Sequence, residues 1–120
     1  MPGMDRNTGR WISGRAHIAQ SVDIILGTPI GTRVERRQFG ADDKYLIDRP
    51  QAESEVSHAT MAVAVALDAW EPRFALKSVI IKEGSVEGRL TLAMGFAEYP
   101  RGHFGDKTPA DAAGNLKATL

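Results

Sequence analysis

Cysteine is absent from the 120 residues, so neither a disulfide framework nor a thiolate metal site is available. The three histidines, His17, His58 and His103, fall in separate segments and never at the paired spacing of an H-E-x-x-H helix, so no imidazole metal centre is expected. An excess of one charge is missing too. Fifteen basic residues balance fifteen acidic ones, and no whole-molecule field draws the chain to nucleic acid or an anionic membrane. No apolar run approaches the roughly 20 residues that cross a bilayer. Residues 1–15 are polar, broken by Gly3, Gly9 and Gly14, and lack the apolar core of a signal peptide. A cytoplasmic location is the expectation, at least where the protein is made.

Catalytic signatures are equally scarce. Gly27-Thr28-Pro29-Ile30-Gly31-Thr32 is glycine-rich but has no Gly-Lys-Ser/Thr ending with which to hold a nucleotide. No dinucleotide fingerprint follows a strand, and no serine sits in a G-x-S-x-G elbow. Asp42, Asp43, Glu53 and Glu55 could supply the opposed carboxylates of a glycosidase, yet each also suits a helix cap or a first-turn acid. Arg33, Arg36 and Arg37 cluster beside Phe39. With zero net charge and no nucleic-acid motif, a charged face at a protein interface is the better reading. No cofactor, small-molecule substrate, nucleic acid or membrane is expected as a partner.

What is present is a sharp change of period. Val56, Ala59, Val63, Leu67 and Trp70 recur at steps of three and four, the apolar stripe of a helix. From Phe74 to Ile81 the chain turns to the β-branched and large apolar residues of a strand. Pro72 stands between them. It lacks an amide donor and pushes its predecessor out of helical geometry, so the helix should end near Glu71 and lead straight into a sheet. Glu71 and Arg73 flank that corner. Spacing alone admits two readings: a surface ion pair, or a fixed corner at which Arg73 offers its fork to other groups at a buried junction.

The remaining elements follow in order. A first helix is predicted over Gly14–Leu26, with Ser13 as N-cap and Gly27 as a left-handed C-cap. Ile18, Val22, Ile25 and Leu26 form its inner face, and His17 reads as a surface position. Residues 27–40 read as a shaped loop with a short strand near 32–37, anchored by Val34 and Phe39; 41–48 suit a short helix. The alanines at 59, 62, 64, 66 and 69 favour the long second helix and give it a smooth surface. After a turn at 82–85, a second strand is predicted over 86–97, with Leu90, Leu92, Met94 and Phe96 on a buried face and small residues opposite. Residues 1–12 read as an extended arm and 99–120 as a tail, mobile or supplying a third short strand, around a domain of 13–98. The expected class is α+β, two main helices on one face of a small antiparallel sheet.

Several segments then carry a resemblance. Met4-Asp5-Arg6-Asn7-Thr8-Gly9 precedes a helix opening Ile12-Ser13-Gly14. Gln20-Ser21-Val22-Asp23-Ile24-Ile25-Leu26-Gly27-Thr28-Pro29-Ile30-Gly31-Thr32-Arg33-Val34 follows, then Arg36-Arg37-Gln38-Phe39-Gly40, then Trp70-Glu71-Pro72-Arg73. In this succession the chain resembles the phage baseplate assembly protein W family, the tail sheath initiators of contractile tails and type VI secretion systems. Gln38-Phe39-Gly40 departs from the Asp-Tyr-Gly common there. The resemblance implies a structural protein and no enzyme: it joins the baseplate wedge and templates the first sheath ring by β-augmentation. It implies sheath subunits and other wedge and hub proteins as partners, ring symmetry imposed by the particle, and residence in the virion tail baseplate after synthesis in the host. The residues that would carry the role are Glu71, Pro72, Arg73 and Trp70, with Arg33, Arg36, Arg37 and Gly40. Some relatives bear a lysozyme-like label, and a related stress anti-adaptor binds another protein, so a glycosidase and a small adaptor are the alternatives.

Overall fold

The computed structural model describes residues 2–42, 53–82, 91–110 and 114–119. The chain opens with a small antiparallel hairpin, β1 (Gly3–Met4) against β2 (Trp11–Ile12). Asp5 shapes the turn: its carboxylate accepts from the Asn7 amide at 3.0 Å and the Thr8 hydroxyl at 2.6 Å. The arm is thus folded, and it lies on the first helix, α1 (Gly14–Leu26). The Arg6 guanidinium reaches Asp23 at 2.6 Å, and Gln20 accepts from the Arg6 amide and donates to the Met4 carbonyl.

Helix α1 has the predicted bounds, and Ile18, Val22, Ile25 and Leu26 are buried as their spacing requires. Ser13 and Gly27 occupy the cap positions expected of them, but the geometry of each cap differs. Gly14 enters the helix at φ 60°, and Ser13, although extended, makes no side-chain capping bond. Gly27 is right-handed (φ −81°) because the Thr28 hydroxyl satisfies the Ile24 carbonyl at 2.6 Å, the task a left-handed cap would otherwise serve.

The loop after α1 closes on itself. Gly31 donates to the Arg37 carbonyl, Phe39 to that of Arg36, and Ala41 to that of Thr28. These bonds turn the segment back on itself, and the short strand expected near 32–37 does not form. Val34 points outward at 84 % exposure, so Phe39 alone of the two expected anchors faces inward. Gly40 needs its identity: φ is 124°, and a Cβ would run into the Thr28 carbonyl. The helix expected over 41–48 falls mostly outside the described residues.

The long helix α2 (Glu53–Trp70) buries Ala59, Val63, Ala66 and Leu67. It leads through the proline corner into β3 (Phe74–Lys82), which pairs antiparallel with β4 (Thr91–Glu98). The part of the second strand expected before Thr91, with Leu90 and the turn at 82–85, lies largely outside the described residues. Leu92, Met94 and Phe96 face the helices, and Thr91, Ala93, Gly95 and Ala97 face away. A third strand, β5 (Gly114–Thr119), pairs antiparallel with the other side of β4, giving the order β3-β4-β5. The last residues thus follow the strand alternative and not the mobile one.

The core lies between α1, α2 and the sheet. Phe74 stacks on Phe96 with ring centroids 4.6 Å apart, and Ala118 closes the β5 side. Each large side chain fully buried here contributes roughly 1.5–3 kcal/mol. The expected α+β architecture is the one observed.

Candidate functional site

The Glu-Pro-Arg corner is built by the collision of two backbones. The Glu71 amide still donates to Leu67, one helical turn back, at 2.9 Å, and Pro72 then stops the ladder. The Phe74 amide returns to the Glu71 carbonyl, and the Arg73 carbonyl accepts from Tyr99, so strand pairing begins at once. Behind the corner sits a short 3-10 turn, Gly102–Phe104. A Cβ on Gly102 would strike the Pro72 carbonyl, so this turn approaches closely only as glycine.

Glu71 and Arg73 are both buried, at 3 % and 7 % exposure. They form a two-point pair: Arg73 Nε donates to Glu71 Oε1 at 2.6 Å and Nη2 to Oε2 at 2.9 Å. Burial raises the Glu71 carboxyl pKa, but hydrogen bonds from Arg73 and Ser21 and the adjacent positive charge outweigh it and hold the group below its ordinary 4.5. The third face of the guanidinium meets α1, with Nη1 3.1 Å from His17 Nδ1. Arginine has no acceptor, so in this contact the imidazole nitrogen accepts. The His17 ring in turn lies directly under Gly3 of the hairpin, where a Cβ would collide with it.

The pair forms, but it is buried, so the surface placement of the first reading does not hold. The corner is a buried junction, but the arginine fork is spent on Glu71 and not offered outward. Pro72 is the exposed member. His17 and Ser21 were not legible as partners: His17 is half-buried rather than a surface position. The available signal was their place four apart on α1, beside the buried stripe of Ile18, Val22 and Ile25.

The arginine loop is joined to this corner by aromatic contacts. Trp70, half-buried, meets Phe39 edge-on at 5.0 Å, and the Arg33 guanidinium lies 4.2 Å from the Phe39 ring centre. Arg36 and Arg37 point to solvent, and with Trp70 they line a hollow of about 540 Å³. Gly40 is buried and serves the loop's shape. Among the described residues, no group of three or more histidine or acidic side chains could hold a metal ion, and no helix is long and apolar enough to cross a membrane.

Comparison with known proteins gives this geometry its context. Residues 12–95 match the model of the family described as baseplate wedge protein gp25. Baseplate protein W of Escherichia phage P2 is 38 % identical over 92 residues, covering 77 % of this chain and 79 % of the phage protein. In the solved baseplate of postcontracted pyocin R2, one chain is 38 % identical with a TM-score of 0.70, over 82 % of this chain and 99 % of that one. A crystal structure from Geobacter sulfurreducens, described as that of a tail lysozyme, is 29 % identical with a TM-score of 0.72, over 91 % of each chain. With the family model spanning most of the sequence, and the corner and arginine loop both inside it, the chain belongs to the baseplate wedge protein gp25 family, structural components of contractile tail systems.

Proposed function

We propose that this chain sits in the baseplate of a contractile tail among other baseplate proteins, and that its sheet templates the first ring of sheath subunits by accepting an extended segment as an added strand. The observation that carries the reading is the sheet itself. Its outer face on β4 is small and flat, with Ala93, Gly95 and Ala97, and among the described residues the outer edges of β3 and β5 have no strand partner. Backbone hydrogen bonds along an open edge supply affinity, and alternating side chains set register.

The two edges are not equivalent. β3 is interrupted at Lys77, where its pairing with β4 skips one residue, and carries Lys77 and Lys82, both features that blunt an edge. β5 pairs without interruption over six residues, so it is the edge assigned to the incoming strand. The proline corner acts behind it: by locking α2 to β3 and, through His17, to α1, it holds the sheet at a fixed angle.

Capture of the sheath subunit encoded in the same gene cluster, with negative-stain imaging, tests this. Along an edge strand the amides alternate between the ladder and the outside. Proline at Leu116 and proline at Lys117 therefore divide into one variant that breaks the ladder and one that folds but lacks an outward donor. The folded variant is expected to lose sheath capture. Retained capture moves the contact away from β5, and failure of the parent protein to capture either sheath or wedge proteins favours the adaptor reading.

An enzymatic role is not part of this proposal. Incubation with peptidoglycan is expected to release no fragments.

A further inference from the structure

We propose that the solvent face of α2, together with the arginine loop, seats an amphipathic helix from another protein of the same particle, with the acidic end of that helix over Arg36 and Arg37. The surface lies on the helical layer, away from the β5 edge, and goes beyond the templating reading without depending on it.

The apolar part is a trough. Met61 and Val65, four apart on α2, are 69 % and 63 % exposed, and Ile30 faces them across the groove at 44 %. Ala62 and Ala69 form a low floor between these walls, and the trough measures about 440 Å³. Small floor residues let a second helix approach to about 8–10 Å between axes. From His58 to Trp70 the trough follows α2 for roughly 18 Å, about three helical turns. Anchors spaced three and four residues apart are what such a groove reads.

The charged part gives the trough a direction. At Gln38 and Trp70 it adjoins the hollow walled by Val34, Arg36 and Arg37, and Asp42 also lines the trough. Neither Arg36 nor Arg37 has an ion pair among the described residues, and the loop that carries them is pinned by its own backbone bonds. Two guanidinium groups on a shaped loop beside an apolar floor match carboxylates that terminate an apolar stripe. A strand is a poor occupant. Between His58 and Trp70 the α2 backbone is committed to its own ladder, so an extended segment laid along the trough would meet side chains and no backbone partners there. Nucleic acid is disfavoured by the apolar centre and by Asp42.

Photocrosslinking tests the assignment in the full chain. Val65→p-benzoylphenylalanine is expressed with the other tail proteins of its own gene cluster, and the adduct is identified by mass spectrometry. The expected adduct is a segment of another tail protein with apolar residues at helical spacing and Asp or Glu at one end. Combined Arg36→Glu and Arg37→Glu should lower the adduct yield at least tenfold without changing the melting temperature, and replacing the partner's acids by lysine should restore it. The β5 proline variant that folds should keep the full adduct yield, which separates this surface from the templating edge. The proposal is overturned by an adduct with a second copy of this chain, with residues 43–52 of the chain itself, or with a segment lacking helical spacing. An absence of adduct in particles that contain the protein overturns it equally, as does a yield indifferent to the charge reversal.

Discussion

Glu71 and Arg73 show how little of a residue's role is contained in its spacing. Their separation by one proline announced a corner, and Pro72 fixed where α2 ends. That the two charges pair with each other, and that His17 and Ser21 complete the set, depends on α1 arriving from fifty residues away. The energetic consequence is specific. Removing one partner of a buried pair strands the other, at about 3–5 kcal/mol. Arg73→Ala is therefore expected to fall in stability by that amount, measured by urea unfolding, and its assembly defect alone would not locate a contact. The joint replacement Glu71→Leu with Arg73→Met leaves no stranded charge and should lie much closer to the parent. A near-parental Arg73→Ala would show the pair to be dispensable. The pH dependence has a definite sign. Because the folded Glu71 pKa is lowered, its stabilisation is full above the ordinary 4.5 and is lost as pH falls through the lower native value. Glu71→Gln should be less stable at neutral pH and show a flatter decline of urea midpoint below pH 4.5 than the parent. Gly102 is a second residue the sequence left silent, since only the fold brings it against Pro72. Gly102→Ala is expected to cost about 1–3 kcal/mol by overpacking, read as a lowered melting temperature.

At the scale of elements, the long periodic segments were legible and their irregularities were not. α1 and β3 have the bounds their patterns indicate, because burying one stripe or one face dominates local preference. Within β3, however, Phe74, Leu76, Val79 and Ile81 point inward although the interval from Leu76 to Val79 breaks the period of two. The extra residue at Lys77 absorbs the mismatch and leaves every apolar side chain on the core face. Deleting Lys77 would restore a strict alternation with the same four residues inward. That variant is expected to fold with a melting temperature near the parent's, while its straighter edge self-associates more readily in sedimentation velocity. A large loss of stability would mean the bulge itself is required. β5 was harder to read: its inward residues are Leu116 and the small Ala118, and its pairing arises from the exposed edge of β4 and not from its own propensity. The arginine loop was illegible for a related reason, since its shape comes from turn bonds and the left-handed Gly31 and Gly40.

For the molecule as a whole, both chain ends fold back onto α1, yet their energetic weights differ. The hairpin is attached by Arg6–Asp23, with side chains 49 % and 44 % exposed, and by Gln20 bonds at the surface. Exposed pairs of this kind contribute about 0–1 kcal/mol. β5 instead completes a sheet: without it Met94 and Phe96 lose a neighbouring strand, and two strands are marginal even with one face covered. A chain lacking residues 1–10 is therefore expected to unfold cooperatively with its stability changed by only about 1 kcal/mol. A chain lacking residues 114–120 should lose its sharp transition and show a reduced m value, because the native state no longer buries a complete core. The order matters for assembly. The element assigned to receive a sheath strand is also the one that secures the sheet, so an incoming strand binds a face that folding has already made rigid. Comparable losses from both truncations would contradict this asymmetry. They would instead place the hairpin, through Gly3 on His17 and His17 on Arg73, within the same cooperative unit as the proline corner.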